Sequence, residues 1–581
     1  MTFFTNRPLP LRLSGAAASL IILLGGCGDR PATQAAPAAP LAPALQAAPA
    51  LQADSGQGGL TTLQYNGVNL LADGALSAQT ITLKNAGGTT AQGSTTPTSS
   101  AYDPVTHRLT QTFPWGTVAC RYAPVGSRLN LTVAVTNKSP QTLQQLTLQL
   151  LAVRFPNTPK DWVPNYVYIG SNTGDPTVIT ADYGSGALAV CNEDVAGKPL
   201  LVGFPGRADF SSRPVVISTA QGWVLSPYLD KYIARPIAPG ATDVYRVSVR
   251  FGASGVSERA LAGDLLARFA QAYPQTLHWP DHRAIGTLHL AASETELHSA
   301  TNPRGWFADK SVDVITPAGI AAFQKRLLAY ADESVGVLKK MNAQGMITWD
   351  VEGEQYPQAT TYIGDPRLLK TLDPEMETVA DAYFKKFRDA GLRTGLCIRP
   401  QRLVVSDGGG KADQEELPGP DAVVQLLYDK MAYANKRWGC TLFYVDSNGD
   451  PNVPYDPAIF QKLTQKLTRN HIEAMVMPEH KNTRYYAYTA PYAELRLNVT
   501  STPGLVRAVY PQAFTNIYAS DGPFQQDHDA LVTAVRSGDI LMFRGWWDDP
   551  QNAQVKGIYQ DAGARKKPAI HLQAARSHAA R

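Results

Sequence analysis

A multidomain chain, with an N-terminal antiparallel β-sandwich followed by an α/β (β/α)8 barrel (TIM barrel), is the fold class this sequence predicts. Two rhythms and a length predict it. Residues 55–252 carry short alternating runs such as LNLTVAVTN and VYRVSVRFG, cut by NG, DG and SP turns, with almost no helical periodicity. From about residue 283, short apolar runs alternate with amphipathic helical stretches. A chain of 581 residues exceeds what one core holds, so two large domains are expected. A doubly wound open sheet is the structural alternative for the second half.

The elements follow in chain order. Residues 1–26 have a positive start (Arg7, Arg12) and a short apolar run through Leu20–Leu24, the pattern of a signal peptide. The run ends in LGGC, which resembles the bacterial lipobox; that resemblance implies lipidation of Cys27 and an exported lipoprotein at the outer membrane or cell surface. Residues 27–54 are mostly Ala, Pro and Gln, a tether with little to bury. The sandwich takes 55–252, a helical linker 253–282, the barrel 283–555, and a basic flexible tail 556–581. No other stretch reaches the length of a membrane span.

Composition excludes several functions. A net charge of +4 without a basic, aromatic-laced stripe argues against nucleic acid. Cys120, Cys191, Cys397 and Cys440 show no zinc spacing; a Cys120–Cys191 disulfide fits an exported chain, with buried thiols as the simpler reading for Cys397 and Cys440. Asp446, Asn448 and Asp450 alternate as in a calcium loop, but Pro451 and Pro457 stand at its sixth and twelfth positions, so that motif fails. No metal and no cofactor are expected. Oligomeric state is not defined by the sequence.

Eight apolar runs make the barrel: 284–292, 345–351, 393–399, 441–446, 472–477, 493–498, 514–519 and 539–545. VADAYFKKFRDAG and PAIFQKLTQKLTRN are helices between them, and Asp373 is expected to cap a helix opening at Pro374. Catalytic groups of such barrels lie at the C-terminal strand ends. Those ends bring Asp350 and Glu352, then Arg399, Asp446 and Asn448, Glu479, Arg496, and finally Arg544, Trp546, Trp547 and Asp548. Paired carboxylates suit proton delivery and nucleophilic attack at a glycosidic bond, and tryptophan faces suit sugar rings. The expected partner is therefore a carbohydrate.

The hairpins of LTTLQYNGVNLLADG and LNLTVAVTNKSPQTLQQLTLQLL look like a galactose-mutarotase-like sandwich. Followed by a barrel whose fourth strand ends in Tyr444-Val445-Asp446, the chain resembles the α-glycosidase superfamily (α-galactosidase-like, α-glucosidase-like, endo-α-N-acetylgalactosaminidase-like). The resemblance implies a glycoside hydrolase with Asp446 as nucleophile of a retaining mechanism. Tyr444 replaces the Lys of the α-galactosidase pattern. The sixth run shows no Asp for the acid/base role; Glu479, after the fifth, matches the families that place a Glu there. Asp446 is expected to be held ionised by Arg399, and Glu479 protonated through burial. Asp350, Glu352, Arg399, Asn448, Arg496, Arg544, Trp546, Trp547 and Asp548 are assigned to substrate. A non-catalytic surface glycan-binding lipoprotein on a barrel scaffold is the competing reading.

Overall fold

The structure is a computed structural model that describes residues 51–155, 167–169, 178–195, 201–203, 212–218, 235–292, 294–354, 363–405, 412–450, 453–495, 501–519 and 524–563. The expected signal peptide, Cys27, nearly all of the tether, Arg496 and the tail beyond residue 563 lie outside the described residues.

Among the described residues the N-terminal half is built from antiparallel sheets, one of eight strands, one of six and one of three. Alternation decides their faces. In Arg128–Asn137, Leu129, Leu131, Val133 and Val135 point inward and are buried, while the residues between them reach the surface. Facing them in the core are Ile81, Leu83, Leu143, Leu146 and Leu148 of the six-stranded sheet. The first strand, Leu51–Gly56, pairs with Gly59–Tyr65, so the tether yields to β-structure four residues before its expected end at 54. Cys120 and Cys191 are free and buried on non-adjacent strands of the eight-stranded sheet, so the pairing that the sequence left open is not made.

The C-terminal half is an eight-stranded parallel barrel: β1 Ile285–His289, β2 Gly345–Trp349, β3 Thr394–Ile398, β4 Cys440–Val445, β5 Met475–Pro478, β6 Tyr492–Glu494, β7 Asn516–Tyr518 and β8 Ile540–Arg544. Each falls on one of the eight predicted runs. Neighbours follow the order β5-β4-β3-β2-β1-β8-β7-β6, leaving the ring open between β5 and β6. One backbone bond, Ala490 N–H to Val476 O at 2.9 Å, spans the opening.

The opening has a cause. Helix α1, Glu258–Ala272, precedes the barrel, and the crossovers after β1, β3 and β4 are the helices α2 (Pro317–Lys340), α3 (Pro420–Trp438) and α4 (Pro457–Arg469). The β5–β6 connection has only a 3₁₀ turn, Thr483–Ala487. Its place is filled from upstream. Leu265, Leu266 and Phe269 of α1 pack with Tyr486, Tyr488 and Tyr510 of the barrel and with Val178, Ala189 and Cys191 of the sandwich. Thr276 and Leu277 donate their N–H groups to Ala487 O. The helix predicted over residues 379–391 forms at Ala380–Asp389. Asp373 does not cap the turn opening at Pro374: its carboxyl has no hydrogen-bond partner among the described residues, and Pro374, lacking an N–H, leaves one donor fewer to receive it.

Candidate active site

Strand register alone gathers three predicted residues. Gly439, in the left-handed region at φ 65°, stops α3 and launches β4. Ile398 then pairs with Val445, and Val445 with Pro478. The next residue of each strand is Arg399, Asp446 and Glu479. Asp446 N–H bonds Ile398 O at 2.9 Å, and Glu479 N–H bonds Val445 O at 3.0 Å, which extends the row one step past the sheet.

Within this row Arg399 Nε donates to Asp446 Oδ2 at 2.6 Å. Ser447, another left-handed residue at φ 55°, touches both carboxylates. Its Oγ donates to Asp446 Oδ2 at 3.1 Å, and its N–H to Glu479 Oε2 at 2.8 Å. Two hydrogen bonds through one serine bound those carboxyl oxygens to within about 9.5 Å of each other. Burial and the charge of Asp446 push Glu479 up to about 7, against the downward pull of the Ser447 N–H and Arg399. A carboxyl poised there donates and recovers a proton near neutrality.

The other predicted residues divide. Asp350 is buried at the end of β2 with φ 58°, 3.9 Å from His289. Burial and the neighbouring Glu354 and Glu352 raise it well above the carboxylate range. Glu352 is fully buried behind the mouth, accepts Asp365 N–H at 2.8 Å, and is pushed up to about 6 by burial. Asn448 is also fully buried: its Oδ1 accepts His480 N–H at 2.8 Å and its Nδ2 donates to His480 O at 3.2 Å, so it braces the β4 and β5 loops against each other. Arg544 pairs with Asp549 at 3.2 Å, and its charge adds to burial in lowering His289 to about 4. Trp546 meets the His289 ring edge-on at 5.2 Å, and Trp547 is 48% exposed beyond it. Asp548 is not brought to the mouth. Its carboxylate pairs with Lys340 of α2 at 2.6 Å, both side chains being largely exposed, because the chain turns outward to start the helix Pro550–Asp561.

The structure adds groups that the strand-end reading missed. His289, Trp349, Tyr444 and Tyr492 form a run of ring contacts between 4.9 and 5.1 Å across the barrel interior, below the carboxylate row. Their signal was present as the inward-facing positions of β1, β2, β4 and β6. Lys430 of α3, fully buried, donates to Arg399 O at 2.6 Å and Gln401 O at 3.0 Å, holding the β3 loop that carries Arg399. Glu494 ends β6, receives Tyr492 OH at 3.0 Å, and its charge adds to the upward pressure on Glu479. The sixth run, read as ending at Asn498, hid it: the strand stops four residues earlier.

No protein-family model and no curated protein matches the sequence. Solved structures do. The α-N-acetylgalactosaminidase NagBb from Bifidobacterium bifidum, in its GalNAc complex, superposes with a TM-score of 0.51 at 10% identity, over 89% of this chain and 92% of that one. The α-galactosidase TtGalA from Thermus thermophilus, in complex with stachyose, gives 0.39 at 12% identity over 76% and 97%. A cycloalternan-degrading enzyme from Trueperella pyogenes gives 0.39 at 11% over 83% and 72%. The protein has a glycosidase-like fold, a β-sandwich joined to a nearly closed eight-stranded barrel.

Proposed function

We propose that the protein is a retaining glycoside hydrolase acting on oligo- or polysaccharides. The observation that carries this is Ser447 bound to both carboxylates, one ion-paired and the other raised to about 7. Asp446 attacks the anomeric carbon and forms a glycosyl ester as the exocyclic C–O bond breaks. Glu479 gives its proton to the departing oxygen. Glu479 then takes a proton from water, whose oxygen attacks the same carbon and releases Asp446. The bound of about 9.5 Å on the carboxyl oxygens is compatible with glycosidase carboxyl separations.

The kinetic test uses aryl glycosides of both anomers. Asp446→Asn lowers kcat by at least about 10³-fold without unfolding, whereas Glu479→Gln spares substrates with activated leaving groups. Wild-type activity declines as pH rises through about 7, where Glu479 loses its proton, and Glu479→Gln removes that limb. The product has the anomeric configuration of the substrate by NMR. Inversion would make Asp446 the base for water, and wild-type rates in Asp446→Asn would end the assignment. Glu494 carries a second version of the acid role, favoured by its place at the end of β6. If Glu494→Gln, rather than Glu479→Gln, shows the leaving-group dependence, the acid is Glu494.

We also propose, from LGGC, that the chain is an exported lipoprotein held at the membrane through Cys27. Wild type should enter the detergent phase and Cys27→Ser the aqueous phase; two soluble proteins would refute the anchor.

A further inference from the structure

A cleft of 640 Å³ lies beside the barrel mouth, between α2 and the segment after β8. Its walls include His289, Phe307, Arg326, Glu333, Trp546 and Trp547. His289 belongs to both places: it stacks on Trp349 at 5.1 Å within the barrel and meets Trp546 at 5.2 Å on the cleft side. His289 thus stands between the ring run of the barrel interior and the cleft.

One wall is built under strain. Phe307 and Ala308 are consecutive non-glycine residues in the left-handed region, at φ 58° and 54°. Buried Asn302 holds this turn: its Nδ2 donates to Trp306 O and Asp309 O, both at 3.0 Å, and its Oδ1 accepts Trp306 N–H at 3.0 Å. Arg326 then lies 4.5 Å over the Phe307 ring and bonds Asp309 at 2.6 Å. Strained backbone that its surroundings over-determine is found where a ligand is clamped. Flat rings with charged hydrogen-bonding groups at their margin suit a pyranose, which offers one apolar face and a rim of hydroxyls. Glu333 stands two helical turns beyond Arg326 on the same side of α2.

The direction follows from the ring. Strands four apart in the eight-strand order stand across the barrel from each other, so β1 and β8 face β5 and β4. A leaving group must lie beside the acid, on the β5 side. What lies toward β1 and β8 is the sugar kept by the nucleophile and whatever is attached to it. We infer that the cleft is a subsite for a second sugar unit on the glycone side, so that the preferred substrates carry at least two sugars before the scissile bond. This rests on the assignment of Glu479 as acid in the proposed function.

The test compares p-nitrophenyl glycosides bearing one sugar with those bearing a disaccharide. In wild type the disaccharide series contains a substrate favoured at least about tenfold in kcat/KM over its monosaccharide counterpart. Trp547→Ala brings that ratio to about one, and Trp547→Phe, which keeps a ring, preserves most of it. A wild-type ratio below about tenfold throughout, or one that Trp547→Ala leaves in place, overturns the subsite. If no aryl glycoside of either length is cleaved, it is the glycosidase reading that fails. The cleft is then tested as a sugar site alone, by quenching of tryptophan emission with the same disaccharide glycosides: quenching lost in Trp547→Ala upholds sugar binding there, and no quenching in wild type, or quenching that Trp547→Ala leaves in place, overturns it.

Discussion

Asp446 and Glu479 keep 17% and 22% of their side chains exposed, whereas Asp350, Glu352, Glu354, Asp373 and Glu375, all between β2 and the helix Ala380–Asp389, are no more than 5% exposed as residues. Both groups of carboxyls belong to the barrel's strand-end loops. The first pair is met by a guanidinium and a backbone N–H in reach of solvent. The second group is crowded; Arg304 stands 3.0 Å from Glu375, and Lys430 lies 3.9 Å from the neighbouring Asp365. Burial and mutual repulsion raise Asp350 and Asp373 well above the carboxylate range. Accessibility therefore separates a pair in reach of solvent from a buried group in which the fold favours the protonated forms of Asp350 and Asp373.

Removing the inner cation breaks the contrast most severely. Lys430→Met keeps the apolar stem but leaves the Arg399 and Gln401 carbonyls without their donor and Glu352 and Asp365 without its charge. A loss of about 3–5 kcal/mol is expected in denaturant unfolding. A smaller effect of opposite sign sharpens it. The folded value of Asp373 lies above its unfolded one, so wild type gains stability as pH falls toward 4, where the unfolded carboxyl also takes its proton. Asp373→Asn removes that dependence. It should stabilise the fold at pH 7 by about 1 kcal/mol or more, with the gain fading toward pH 4. Thermal unfolding at both pH values measures it, and an equal or growing gain at pH 4 would contradict the assignment. The smallest effect belongs to a carboxylate in neither group: Asp548→Ala should change stability by less than about 0.5 kcal/mol, because its pair with Lys340 is exposed. A large loss of activity in that variant would return Asp548 to the site.

The barrel was legible because each strand is a short apolar run, and each of the eight predicted runs overlaps a strand. Arg399, Asp446 and Glu479 were legible for the same reason: parallel register converts equivalent strand ends into neighbours. The contacts of Asn448 with His480 and of Asp548 with Lys340 were not legible, because sequence position gives no direction to a side chain once the strand has ended. Glu494 was missed because LRLN continues the alternation of AELRLN past the end of β6. The buried role of Lys430 was invisible, since a lysine within an amphipathic helix reads as part of its solvent face.

The opening between β5 and β6 also constrains how this architecture can be inherited. The barrel borrows part of its outer wall from chain that precedes it: α1, the strand Ala187–Asn192, and the segment through Leu277. A gene fragment beginning after residue 282 would encode all eight strands yet leave Tyr486, Tyr488 and Tyr510 facing water along a seam. Recombination that moved this barrel onto a different upstream module would have to supply a matching apolar helix at the same place. The boundary between linker and barrel near residue 282 is thus no seam for exchange, because α1 and Leu277 lie before it.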